Sequence, residues 1–321
     1  MKRVVLLVLG SGILAVGSGV SIGQSTSTNS YPNKPIRIIT SEAGGGNDQV
    51  TRLIGQGISG PLGQPIVVEN RGFVGFELAA KASPDGYTLL LNGTPFWMGP
   101  LLQKVPYDPV KEFSPITLAI RQPNMIVVPP SLPVKSVKEL IALAKAKPGE
   151  LNYASGQVGA ANHLAAELFK AMAGVNIVRI GYKTGVAAAT AVMGGDVQLL
   201  FVSTGSGAVF VKSGKLRALA VASAEPTALA PGLPTVSASG LPGFESTSMA
   251  GIFAPAKTPT DIINRLNQEL VRFLNRDDAK ERLFSVGQEV VAGTPAQLAA
   301  TMKSEMTKLG KVIKDAGIRA E

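Results

Sequence analysis

One unit recurs along this chain and limits what it can fold into. A short β-branched or apolar run passes through a glycine-bearing turn into residues whose apolar side chains recur at helical spacing. Ile36–Thr40 leads through Gly44-Gly45-Gly46 to Val50, Leu53, Ile54 and Ile58. Residues 151–154 lead through Ser155-Gly156 and Gly159 to Leu164, Ala165, Leu168 and Phe169. The same grammar returns at 178–182 with Gly185, and at 197–202 with Gly205 and Gly207. Residues 65–69 and 87–91 read as further strands and 76–82 as a short helix. Strands separated by helices need crossover connections, so the fold class is α/β, parallel strands covered by helices.

Helix starts are marked in the remainder. Ser136 with Glu139 forms a capping-box pattern, as do Thr258-Pro259 with Asp261 and Thr294-Pro295 with Gln297. Residues 225–243, rich in Pro, Ala, Ser and Gly, read as a surface connection between two bodies, and a second crossing is expected at 121–124. Two crossings imply a discontinuous first domain, 31–122 plus 246–321, around a continuous second one, 123–245, with a hinged cleft between them.

The N-terminus reads as an export signal. Lys2 and Arg3 precede an apolar stretch at 4–16 that is shorter than the roughly 20 residues needed to span a bilayer. Cleavage is expected after Gly23, or as late as about residue 30. Removing 1–23 lowers the formal charge from +9 to +7. The cations are dispersed rather than interleaved with aromatics, so nucleic acid is not an expected partner, and small anions are. Lys308, Lys311 and Lys314 read as one solvated helix face.

What is missing narrows the chemistry. The chain has no cysteine and a single histidine, His163, which excludes thiolate nucleophiles and disfavours a zinc site. No metal or cofactor is expected. The P-loop, the dinucleotide fingerprint and the G-x-S-x-G elbow are all absent. With one tryptophan, Trp97, and 5% aromatics, a sugar site built on stacking platforms is disfavoured. Trp97 itself reads as core or cleft rim. These absences disfavour an enzyme; the glycine turns either converge N–H groups on an anion, each followed by the positive end of a helix, or only make the strand-to-helix turns that any doubly wound sheet needs.

Several segments are similar to the Bug family of extracytoplasmic solute receptors for tripartite tricarboxylate transporters. They include Tyr31-Pro32-Asn33-Lys34-Pro35-Ile36-Arg37-Ile38-Ile39, the 44–48 loop, Val67-Val68-Glu69-Asn70-Arg71, Pro84-Asp85-Gly86-Tyr87-Thr88-Leu89-Leu90 and Tyr107-Asp108-Pro109-Val110-Lys111-Glu112-Phe113. Asn152-Tyr153-Ala154-Ser155-Gly156, Gly181-Tyr182-Lys183 and Gly251-Ile252-Phe253-Ala254-Pro255 continue the match in order. The resemblance implies a two-domain Venus-flytrap periplasmic binding protein of type II-like form, not an enzyme, monomeric, holding a small carboxylate and delivering it to a membrane permease. A sensor subunit feeding a signalling kinase is the alternative, and an exported hydrolase using Asp48 and His163 a remote one. Carried onto this sequence, the ligand residues are Ala43, Gly44, Gly45, Gly46, Asn47 and Asp48 on one side and Ser155, Gly156, Gly159, Asn162 and His163 on the other. Lys183, Thr184, Gly185, Ser203 and Thr204 complete the second side, and Phe73 stands at the rim. Asp48 has two candidate roles, capping the helix or meeting a donor on the ligand. The family usually has Pro-Phe where this chain has Ser41-Glu42, and a longer glycine-rich insert where it has Gly72-Phe73-Val74-Gly75. Ala238 and Met249 stand where Glu and Trp are common. These departures point to a smaller or more apolar ligand than citrate.

Overall fold

The computed structural model describes residues 31–156 and 158–319, so the expected export signal lies outside the described residues. Ten strands form one mixed sheet. Strands β1 (Ile36–Thr40), β2 (Ile66–Asn70) and β3 (Thr88–Gly93) alternate with helices α1 (Gly46–Leu62), α2 (Val74–Ala80) and α3 (Thr94–Leu102). Next come β4 (Phe113–Val128), α4 (Val137–Ala146), β5 (Asn152–Ser155), α5 (Ala161–Ala173), β6 (Val178–Gly181), α6 (Gly185–Gly194), β7 (Leu199–Ser203), α7 (Thr204–Lys212) and β8 (Arg217–Val221). The chain ends with β9 (Thr247–Pro255), α8 (Thr260–Leu274), α9 (Asp277–Ser285), β10 (Glu289–Val290) and α10 (Pro295–Asp315).

Strand order is β2-β1-β3-β9-β4-β7-β5-β6, with β8 and β10 also on β4. The crossover units give parallel pairs, β1 with β2 and β3, and β5 with β6 and β7. The two longest strands, β4 and β9, run antiparallel to their neighbours and were not read as strands in the sequence. Along β4 the partner changes at one point: Pro123 pairs with Thr247 of β9, and Asn124 with Ser203 of β7. Proline has no N–H to give a ladder, so it marks where pairing on one side lapses.

The apolar faces behave as their spacing demands. Val50, Ile54 and Ile58 of α1 and Leu266 and Leu270 of α8 are buried together against β1, β3 and β9. Phe76, Phe96, Phe113 and Phe253 make edge and tilted contacts at 4.7–6.4 Å between centroids, and Phe169, Phe201 and Phe244 form a second aromatic group at about 6 Å. Val236 and Leu241, buried beside Phe244, correct one reading. The 225–243 stretch carries no helix or strand beyond a single bridge from Val221 to Thr235, yet it plugs the core rather than lying only on the surface.

Caps show a similar mix. The Thr294–Gln297 box is reciprocal as expected. Ser136 accepts from the Glu139 N–H, but Glu139 reaches back to the Lys135 N–H, one residue beyond the cap. At α8 the cap is Pro259, and the Thr258 hydroxyl donates to the Pro255 carbonyl instead. Lys308 leaves the solvated face assigned to it, its Nζ donating to the Glu245 carbonyl at 2.8 Å.

Gly205 at the start of α7 and Gly287 before β10 touch backbone to backbone. A Cβ on Gly287 would stand 2.3 Å from the Gly205 Cα, at a φ of +78°. Gly287→Ala therefore combines left-handed strain with overpacking, roughly 2–4 kcal/mol together. Thr294→Ala loses one cap, about 1 kcal/mol. Urea unfolding of both variants is expected to rank Gly287→Ala as the costlier; the reverse order would contradict the close approach.

Candidate functional site

The loops that follow β1 and β5 supply the expected residues, but their glycine N–H groups are already engaged. Gly44 donates to Asp48 Oδ2 at 2.8 Å, and Gly45 to the Glu42 carbonyl at 3.4 Å. Gly156 donates to Asn162 Oδ1 at 3.3 Å, and Gly159 to His163 Nδ1 at 2.9 Å. This corrects the expectation that these four amides converge on a ligand. They brace their own loops.

Asp48 does not cap α1. The cap of α1 is Gly45, and Asp48 lies in the first turn, buried. Besides Gly44 it accepts from Asn70 Nδ2 at 2.9 Å and pairs with Arg52 at 2.9 Å. Burial works against its charge, but these donors outweigh burial and hold its carboxyl below the usual range. Asp48 thus ties the loop after β1 to the end of β2.

His163 has an equally internal role. It is 4% exposed, its ring stacks 6.4 Å from Tyr153, and Nδ1 accepts from Gly159, so the proton sits on Nε2. Burial, reinforced by the Arg179 charge, pushes its pKa down to about 4. A histidine so placed is neutral at pH 7 and helps hold the loop. Tyr153 in turn donates to Glu167 at 2.5 Å, and Glu167 pairs with Lys170 at 2.7 Å.

Arg179 of β6 was not singled out in the sequence, where one arginine in a strand carries no distinguishing signal. Its Nε donates to Ser155 Oγ at 2.8 Å and its Nη2 to the Gly156 carbonyl at 2.7 Å, so a cation fastens the second loop.

The amides left over belong to the first helical turns. Among the described residues, the Gln49 N–H is the first in α1 to find a helix partner and Leu164 the first in α5, and neither helix has a side-chain cap. The N–H groups of Gly46, Asn47 and Asp48, and of Ala161, Asn162 and His163, thus carry the positive helix ends at the carboxyl ends of β1 and β5. Thr184 and Ser203 instead cap α6 and α7 with their own hydroxyls.

Between β4 and the helix starts of the second half lies a groove of about 220 Å³ that brings together Asn162, Gly185 and Ser203 with Gln122, Asn124 and Ser248. Residues 43–48, Phe73, Lys183 and Thr204 do not line it. The first loop meets this region by another route. A Cβ on Gly46 would stand 3.3 Å from Gln288 Nε2, and Gly287 abuts Gly205 beside Thr204. Gln288 Oε1 and Thr204 Oγ1 are buried there without a partner among the described residues. Lys183 is exposed, and Phe73, 60% exposed, edges onto Phe76 at 5.6 Å. Glu42 leans on the neighbouring loop, since a Cβ on Gly72 would meet its Oε1 at 2.0 Å. Trp97 is core, fully buried. Among the described residues no group of three or more His, Asp or Glu is placed to hold a metal.

For His163 the folded pKa lies below the unfolded 6.5, so the unfolded chain binds more protons between those values. Its contribution to stability is complete above about pH 6.5 and is lost as pH falls toward 4. His163→Gln keeps an acceptor for Gly159 and removes the titration. Urea unfolding across this range is expected to show a shallower pH slope in the variant; equal slopes would place the ring's titration elsewhere.

Comparison with known proteins follows the same lines. Residues 50–318 match the family described as the tripartite tricarboxylate transporter family receptor. BugT of Bordetella pertussis is 31% identical over 316 residues, 96% of each chain, and a UPF0065 protein from the tcbD-tcbE intergenic region of Pseudomonas sp. strain P51 is 32% identical over 309 residues, 92% of each. Among solved structures, an R. palustris protein with adipate superposes at a TM-score of 0.76 with 32% identity, over 90% of this chain and 99% of that one. The periplasmic binding protein BugD gives 0.73 with 32% identity over 91% and 100%, and MatC from Rhodopseudomonas palustris with bound malate 0.72 with 28% over 88% and 100%. The fold is that of two-domain periplasmic binding proteins. A glycine-turn α/β sheet whose uncapped helix starts stand at the carboxyl ends of its strands, together with this similarity along nearly the whole chain, makes the protein a member of the Bug family of tripartite tricarboxylate transporter receptors.

Proposed function

We propose that this protein is a periplasmic solute receptor that closes around a small carboxylate and presents it to a tripartite tricarboxylate-type permease. The two lobes are 31–122 with 246–321, and 123–245; the hinge is the segment of β4 and β9 around Pro123 and Thr247. The observation that carries the reading is the pair of uncapped first turns, Gly46–Asp48 and Ala161–His163. An anion between them would meet N–H donors from both lobes, each with a helix dipole behind it. Relatives found with adipate and with malate support a carboxylate as the anion. Closure follows from that chemistry, because a ligand touching both turns has differential affinity for the closed state.

Other features fit. His163 is too buried and too internally bonded to serve as a general base, which argues against the exported hydrolase. Among the described residues no helix is long and apolar enough to cross a membrane, as a receptor handing cargo to a separate permease requires. The departures at 41–42 do not place a carboxylate in the 220 Å³ groove, since Glu42 lies over Gly72.

The direct test is calorimetric titration of the mature chain with mono-, di- and tricarboxylates. A ligand at 100 times its dissociation constant should add about 2.7 kcal/mol to stability. Ala161→Pro removes one donor of the second turn at the first helical position, where proline is tolerated and the preceding φ and ψ of −61° and 154° already suit it. One hydrogen bond to a charged group is worth about 1.5–3 kcal/mol, so the variant is expected to bind its carboxylate roughly 10–100 times more weakly at unchanged stability. Undiminished binding would remove these amides from the site.

A further inference from the structure

A second cavity of about 260 Å³ opens beneath α10, between that helix, the start of α3, the start of α5 and the first residues of β9. Ala161 and Ser248 line both this cavity and the 220 Å³ groove, so the two spaces are neighbours across one residue of α5 and one of β9. Its interior is unusually polar for a space next to the core. The hydroxyls of Thr94 and Thr247, each residue 6% exposed, face no hydrogen-bond partner among the described residues. A buried hydroxyl without a partner costs about 1–3 kcal/mol, but both oxygens are sealed from the cavity, so its charged lining residues set what it can hold.

Glu305 of α10 supplies the charge. One carboxylate oxygen accepts from the indole N–H of Trp97 at 2.8 Å, and the other is unengaged among the described residues. Burial pushes the carboxyl up to about 7; the nearby Glu245 adds to the rise, while the Trp97 bond and Lys308 oppose it. Lys308 is the ammonium among the lining residues, and its Nζ is occupied by the Glu245 carbonyl. Two carboxylates therefore face one engaged cation, and the site gains most from a positively charged or strongly donating group. This polarity runs against the more apolar ligand expected from the sequence.

We propose that this cavity is a distal subsite of the cleft, in which Glu305 receives an ammonium or hydroxyl carried by the ligand away from its carboxylate. The proposal rests on the carboxylate reading above and narrows it to amino- or hydroxy-carboxylates. Glu305 selects among carboxylates that the helix starts alone would bind alike.

The test pairs acids of one skeleton, butyrate with γ-aminobutyrate and caproate with ε-aminocaproate, and adds succinate and glutarate, by calorimetry on the mature chain. At least one amino acid is expected to bind ten times or more tighter than its unsubstituted partner. Glu305→Gln, which keeps an acceptor for Trp97, should abolish that advantage and leave the unsubstituted acid unchanged. Trp97, the only tryptophan, should change its emission when the amino acid binds. Equal affinity within every pair, preference for the diacids, or equal loss of both acids in Glu305→Gln would overturn the subsite. If no acid binds, the carboxylate reading fails separately, and n-butylamine decides: an emission change in the native chain that Glu305→Gln lacks sustains the subsite, and no change overturns it.

Discussion

The long strand β4 is the constraint on which the rest of this structure depends. It pairs with β9 and β10 over its first part and with β7 and β8 over its second, so every strand on either side is held through one continuous backbone. Register shifts near Pro115 and Leu118 bend it, and Pro123 stands at the change of partner. One strand is thus shared by two halves of the sheet. Because β1–β3 and β5–β7 are parallel sets with crossover helices, their carboxyl ends carry helix starts, and ligands of open α/β sheets gather there.

Around that frame the loops are held by side chains rather than left as bare glycine cradles. Asp48 and Asn70 fix the loop after β1, and Arg179, Asn162 and His163 fix the loop after β5. Each of these groups uses up a glycine amide or a loop carbonyl. The result is that side chains settle the geometry of both loops, and among the described residues the helix-start amides are the donors without a side-chain cap.

Much of the architecture was legible because it is local. Strand–glycine–helix units, the Thr294–Gln297 cap and the faces of α1, α5 and α8 follow from spacing and side-chain chemistry within a few residues. What was not legible depended on partners far apart in sequence. β4 and β9 carry no alternating pattern that stands out, since both are buried on both faces, and only their pairing reveals them. Asp48 and His163 stand out in the sequence as polar residues beside glycine turns, but that they bond to their own loops is decided by the loop's path. Val236 and Leu241 enter the core from a segment whose composition reads as surface.

The sequence by itself determined the α/β class, the positions of both glycine-bearing loops and the family, since these rest on residue type and short-range order. Tertiary structure alone decided which loop amides are engaged, what Arg179 holds, and that Glu305, which lines a cavity with Thr94 and Thr247, meets the indole of Trp97. The physical reason is contact between distant residues: Trp97 and Glu305 are 208 positions apart, and no local pattern in either helix records that one indole N–H will meet one carboxylate.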